Sequence, residues 1–305
     1  MRKIPPFRDA HMHFIEDGRP AVQDRVREIG AWYVRSGVFA ARDMGHRSGS
    51  GLGAKEILET FLHVESAGYA LYRKGTYGSF LGKGVSGEDE IRRAVGEAAH
   101  GGADFIKVIN SGVVDAKAAG SVTEGGFTYE ELKIIAGEAK ARGLEVICHA
   151  NSDAAIRNAV RAGALSIEHG YFVSDETLHM MAGMQVSWTP TVVALVRASA
   201  AMASGEKRLV EEVIDKHLAA IHCASSIGVK LNVGTDSGSR GIVHGEAFLD
   251  ELELFRKAGL TFEQILSAAC MGREEIEKGN YLVVEEDFIA SRTIAAIYKD
   301  GMRMK

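Results

Sequence analysis

Cysteine and proline are scarce in this chain: three and four residues out of 305. The cysteines, Cys148, Cys223 and Cys270, lie far apart and form no CxxC pair. That spacing excludes a disulfide framework and fits a reducing compartment. So few prolines leave little material for rigid linkers. Long apolar runs are also missing, since no stretch approaches the roughly 18 uncharged apolar residues of a membrane span. The opening residues, MRKIPPFRDAHMHF, are charged without an apolar h-region, so no secretory signal is expected and the expected location is cytoplasmic. Neither sign of charge dominates. Thirty-six Lys and Arg stand against 41 Asp and Glu, a net charge of −5, which excludes the basic footprint of a nucleic-acid binder. Repeats and low-complexity tracts are absent.

What is present is a soluble globular mix, 46% apolar and 25% charged, with an unusual 35 glycines. Glycine at that level suits many tight strand–helix junctions. Eight β-rich runs alternate with helical patterns, at 7–14, 38–45, 68–75, 103–110, 144–150, 164–170, 185–191 and 229–237. Apolar spacing of about 3.6 residues marks helices at 128–143 and 206–228. Gly37, Gly143, Gly163, Gly228 and Gly259 stand where helices should stop. Ser152-Asp153 and Ser174-Asp175 offer caps where helices should start. Repeated strand–helix units imply a parallel sheet, and eight of them fit an α/β fold of the (β/α)8 TIM-barrel type. The rival is a doubly wound open sheet. It would carry a Gly-rich phosphate turn after its first strand, and no GxGxxG occurs there. Residues 281–305 read as two strands outside the barrel, so the expected domains are 1–280 and 281–305.

Unusual polar residues gather at the C-terminal ends of these strands, where barrel enzymes build their sites. His11 and His13 are two apart on strand one, so both rings point the same way. Lys107 lies in Phe-Ile-Lys-Val-Ile, a strand expected to be buried on both faces. Burial disfavours the ammonium form, leaving a carboxylate partner or reaction of the neutral amine with CO2 to a carbamate. His149 closes strand five and His169 closes strand six. Asp236 follows strand eight in Gly-Thr-Asp-Ser. By strand alternation, Cys148 should face the outer helices, and Glu168 should point away from the face of His169.

The order HxH, Lys, His, His, Asp resembles the amidohydrolase superfamily. So do the phrases AHMHF, ARDMG, GADFIKV, ICHAN, SIEHG and NVGTDS. The stretch HGEAFLDELELFRKAGLTFEQILSAA (244–269) is similar to the last barrel helix of the imidazolonepropionase-like and prolidase-like binuclear branch. The resemblance runs from about residue 8 to 300. It implies two divalent ions, zinc being the best match to imidazole and carboxylate ligands. His11, His13 and Asp236 would hold one ion, and His149 and His169 the other. A carboxylated Lys107 would bridge them, with a hydroxide between. Asp236, Tyr171 and His149 would be the catalytic side chains, with Asp236 as general base. The implied reaction cleaves an amide-type bond in a dipeptide, N-acyl amino acid or cyclic amide. A mononuclear deaminase, or a lactone or ester hydrolase, is the alternative on the same barrel. A non-catalytic scaffold is disfavoured because all six ligand types are present. Members of this branch usually carry a small β-sandwich whose first half precedes HxH. Here only eight residues precede Asp9, so the tail reads as a remnant of that domain.

Specificity should come from loops after the strands. His46, Arg47, Tyr77, Arg197, Arg240 and His244 are the candidate substrate contacts, with Arg197 or Arg240 placed to hold a carboxylate. The Gly-rich loop 111–127 is a candidate lid. The expected partner is a small-molecule substrate, with neither nucleic acid nor membrane involved, and a homo-oligomer is left open.

Overall fold

The computed structural model describes residues 1–16, 18–116, 121–123 and 125–305. Its strands are β1 (Arg2–Ile4), β2 (Phe7–Met12), β3 (Ile15–Glu16), β4 (Arg19–Pro20), β5 (Val38–Asp43), β6 (His63–Ser66), β7 (Ala70–Arg73), β8 (Gly82–Val85), β9 (Phe105–Ile109), β10 (Glu145–Ser152), β11 (Ser166–Phe172), β12 (Ser187–Thr189), β13 (Tyr281–Val284), β14 (Ile294–Lys299) and β15 (Met302–Arg303). The helices that carry the argument are α1 (Gln23–Arg35), α2 (Ser50–Leu58), α3 (Glu88–His100), α4 (Tyr129–Lys140), α5 (Asp153–Ala162), α6 (Asp175–Gly183), α7 (Val192–Ala200), α8 (Ser204–Ser226), α9 (Glu246–Lys257) and α10 (Phe262–Ala269).

The fold is an α/β barrel. Parallel pairing runs β2–β5–β6 on one arc and β7–β9–β10–β11–β12 on another. Strand three is broken into β6 and β7, and it starts five residues earlier than the 68–75 expected. The amide of Asp104 donates to the Ser66 carbonyl at 2.9 Å, while Ala70 pairs with Lys107, so both halves abut β9. The eighth stave, 229–237, is irregular rather than a regular strand. It is held by isolated bridges, Trp188 to Leu231 on one side and Met12 to Ser237 on the other. The amide of Asn232 donates to the Trp188 carbonyl at 2.8 Å, and the amide of Ala10 to the Val233 carbonyl at 2.9 Å. These bonds close the cylinder.

Local chemistry explains the elements. All five residues of β9 are buried, as in a strand covered by side chains within and helices outside. In α3, Ile91, Ala94, Val95 and Ala98 form the buried stripe of an amphipathic helix. Ser152 and Ser174 cap α5 and α6 as their sequence positions suggest, and Thr128 with Glu131 forms a capping box on α4. Gly163 ends α5 at φ +105°, a conformation that costs a side chain dearly.

The tail adds β13, β14 and β15, joined antiparallel, with β1 from the chain start pairing along β13. The sequence pattern anticipated two strands there. The third and the contribution of Arg2–Ile4 are findings of the structure. Among the described residues, no helix is long and apolar enough to cross a membrane.

Candidate metal centre and catalytic cavity

His11, His13, Lys107, His149, His169 and Asp236 all line one cavity of about 280 Å³ at the C-terminal mouth of the barrel, together with Tyr77 and Tyr171. Ring centroids are 5.6 Å apart for His11 and His13, 4.8 Å for His11 and His169, and 4.5 Å for His149 and His169. Asp236 Oδ1 lies 3.3 Å from His13 Nε2 and 3.6 Å from His11 Nε2. Among the described residues, His11, His169 and Asp236 form a three-residue donor set with candidate ligand atoms all within 4.8 Å of one another. It takes members from both of the ligand groups that the sequence resemblance implies.

Each imidazole has one nitrogen held by the protein. Glu168 Oε2 sits 2.6 Å from His11 Nδ1, and the Gly45 carbonyl 2.9 Å from His13 Nδ1. The Gly112 carbonyl is 3.1 Å from His149 Nε2, and Thr191 Oγ1 is 2.7 Å from His169 Nδ1. The other nitrogen of each ring is left for the cavity. Metal-ligating histidines need this arrangement, because the bond at one nitrogen fixes the tautomer and orientation of the other.

Burial strips the rings of protons. It holds His11 and His169 well below the ordinary histidine range and His149 at about 4, and the neighbouring Lys107 charge adds to the effect. Neutral imidazole is the form that binds a cation. Burial also lowers His13, but the carboxylate of Asp236 outweighs it and raises the ring. Asp236 is pushed up by burial, yet the bond to the raised His13 ring brings it below the usual carboxylate value. Lys107 is 2% exposed and its Nζ has no hydrogen-bond partner among the described residues. Burial lowers its pKa against the pull of Glu168 and Asp236. An orphaned buried ammonium is costly, so the donor set fits a group that converts this amine to an anion between cations.

Glu168 corrects the sequence expectation that it faces away from the site. The alternation rule assumes a regular pleat, and the pleat ends at His169. Glu168 lies opposite His149 in the parallel register, so the regular pleat already turns it inward, and the φ of +67° at both His169 and Gly170 swings His169 inward as well. The Glu168 carboxylate accepts from Ser166 Oγ at 2.6 Å as well. A buried carboxylate in an otherwise apolar strand was the available signal. Asp9 was also missed. It receives Tyr33 Oη at 2.9 Å, Thr235 Oγ1 at 2.7 Å and the amides of His11 and Thr235, tying the eighth stave to β2. Burial raises its carboxyl to about 7.

The structure separates the substrate candidates. Tyr77 lies on the cavity wall with its ring 5.9 Å from His149. Tyr171 is there too, its hydroxyl 3.2 Å from the Thr191 carbonyl and 3.5 Å from His169 Nδ1. His46, Arg197, Arg240 and His244 are outside the lining. His46 is buried with Nδ1 on Ser48 Oγ at 2.7 Å. His244 Nε2 donates to the His13 carbonyl at 2.8 Å, behind the site. Arg197 pairs with Asp250 at 2.7 Å, and Arg47 and Arg240 are exposed. The sequence reading placed these residues in loops after the strands; Asp250 claims Arg197, the His13 carbonyl claims His244 and the Ser48 hydroxyl claims His46. Of the candidate lid, Val113 and Val114 reach the cavity wall, and residues 117–120 and 124 lie outside the described residues.

One further carboxylate organises the wall. Glu251 of α9 is fully buried and accepts the amides of Val192 at 2.9 Å and Val193 at 2.7 Å, the first turn of α7. This seats Thr191, whose φ is +49°, against His169.

Residues 3–275 match the amidohydrolase family model. Ochratoxinase from Aspergillus niger is 30% identical over 221 residues, 70% of this chain and 44% of that protein. The chain thus spans less than half the length of that curated relative. An uncharacterized protein of Mycobacterium tuberculosis is 26% identical over 281 residues, 88% of this chain and 72% of that one. Among solved structures, a Xaa-Pro dipeptidase with bound methionine in its active site superposes with a TM-score of 0.80. It has 22% identity, and the match covers 99% of this chain and 86% of that one. That likeness is one of fold.

Proposed function

Because the chain belongs to the amidohydrolase family, we propose that it is a metal-dependent hydrolase of an amide-type bond. The observation that carries this reading is the partnerless Lys107 amine, buried in the cavity that four imidazoles and Asp236 also line. In the proposed site, His11, His13 and Asp236 would hold one ion and His149 and His169 the other. The neutral Lys107 amine would add CO2 and lose a proton, and the resulting carbamate would supply an anionic ligand to both. Zinc is the best match to these donors. The ions, when bound, supply an acidified water and an electrophile for the scissile carbonyl.

The chain's own residues do the rest. Asp236, held ionised by His13, takes the proton of the attacking water and returns it to the leaving amine. Glu168 keeps His11 oriented, and Thr191 keeps His169 oriented. Burial raises the Tyr171 pKa, so its phenol keeps its proton, and by turning from the Thr191 carbonyl it donates to the substrate carbonyl oxygen as negative charge grows there. The products are an acid and an amine. Ochratoxinase, with a shared sequence core, and the Xaa-Pro dipeptidase, with a shared fold, support an amide over a lactone or ester.

A second reading has its own support. The His11, His169 and Asp236 set is compact enough for one ion, with Lys107 unmodified, as in a mononuclear deaminase. Elemental analysis of protein purified with zinc separates the two: about two equivalents for the first, one for the second. Carbon-13 labelling with bicarbonate should give a carbamate signal that Lys107→Ala lacks. That variant should lose one ion and nearly all turnover, with partial rescue by a short carboxylic acid. Unchanged turnover and metal load in it would defeat the carbamate.

A further inference from the structure

We propose that the substrate carries a bulky apolar group, free of any carboxylate, that docks against the α7–α8 wall of the catalytic cavity. This deepens the hydrolase reading and rests on it. The cavity has two unlike halves. One is the imidazole and carboxylate cluster. The other is apolar and includes Leu195, Ala198, Met202 and Val210, with Phe80 and Val113 also in the lining.

Leu195 and Ala198 lie three residues apart on α7, so one helix face supplies them together. The wall is fixed in place. Glu251 holds the first turn of α7, and the residue before that turn, Thr191, is bonded to His169. The α7 part of the apolar surface is therefore tied to the reacting centre through Thr191, and a substrate group lodged on the wall sets the position of the scissile bond.

Charge points the same way. Among the described residues that line the cavity there is no arginine, and the single lysine, Lys107, belongs to the cluster and is neutral or carboxylated in the proposed site. The guanidinium of Arg197, on α7, is engaged by Asp250 and Glu246. A carboxylate pressed against Leu195 and Val210 would lose its water without gaining a partner. It would also stand in the same cavity as Asp236. A matched alkyl group instead gains from leaving water, by roughly threefold to fourfold per buried methylene.

The test uses matched amides. A six-carbon chain is placed on the acyl side, in hexanoyl anilide, or on the amine side, in N-hexylacetamide. Each is compared with its two-carbon parent and with a partner ending in carboxylate, glutaryl anilide or N-acetyl-6-aminohexanoate. On one side, kcat/KM should rise at least about tenfold over the parent, and the carboxylate partner should lose that gain. Val210→Trp, which fills the wall, should reduce the six-carbon rate more than the parent rate. Binding of the uncleavable N-hexylmethanesulfonamide, followed by calorimetry, should show a negative heat-capacity change and weaken in Val210→Trp. Turnover with no chain preference on either side, or faster carboxylate partners, overturns the apolar site and leaves the hydrolase. Sulfonamide binding with no amide turnover overturns the hydrolase and leaves the apolar site. Neither binding nor turnover overturns both.

Discussion

Glu168 Oε2 lies 2.6 Å from Nδ1 of His11, and both side chains are 1% exposed. The carboxylate therefore dictates which His11 nitrogen faces the cavity. Glu168→Gln keeps the shape and removes the charge. Metal affinity, read by competition with a chromogenic chelator, should fall about 10- to 100-fold while the far-UV spectrum is unchanged. Wild-type affinity in this variant would remove Glu168 from that role.

Asp236 is both a candidate ligand and the proposed proton carrier. Asparagine still offers an oxygen to an ion but does not take up a proton. Asp236→Asn should retain metal and lose about 100-fold or more in kcat. Parallel loss of metal and turnover would make Asp236 a ligand only.

Gly170 adjoins His169, and a Cβ placed there would come within 2.7 Å of Trp188 Nε1, the atom that donates to the His169 carbonyl at 2.9 Å. Its φ of +67° adds backbone strain for alanine. Gly170→Ala should cost about 2 to 4 kcal/mol in urea unfolding. It should lower kcat in the fraction that stays folded, because His169 shifts with the Trp188 ring.

Glu251 supplies a pH signature. Burial raises its carboxyl from 4.5 to about 8, against the two amides of α7 that favour the anion. Between these values the folded protein keeps a proton that the unfolded chain has released. The stability this gives is complete below the unfolded value and lost as pH climbs through the folded one. Glu251→Gln does not titrate. The Tm of the wild type minus that of the variant should therefore fall between about pH 5 and about pH 8. A constant difference would show that Glu251 is ionised throughout.

Much of this was legible along the chain. A period of two in the strands, caps such as Ser152 and Ser174, and the spacing of HxH, Lys, His, His and Asp are local properties. They follow from backbone geometry within a few residues, so they point to eight strand–helix units and to six polar side chains at one mouth. Contacts between distant segments are not local. Glu168 meets His11 across 157 positions, and the left-handed turn at His169 and Gly170 brings the neighbouring His169 to the same inner face. Asp9 meets Thr235 across 226, making the seam that an irregular eighth stave could not close by ladder pairing alone. Arg197 reads as a substrate clamp until α9 brings Asp250 beside it. The order of residues thus determined the barrel and which polar side chains gather at its mouth. Closure of the cylinder decided which of those groups face one another, because side-chain direction depends on backbone turns and partners that no short window contains.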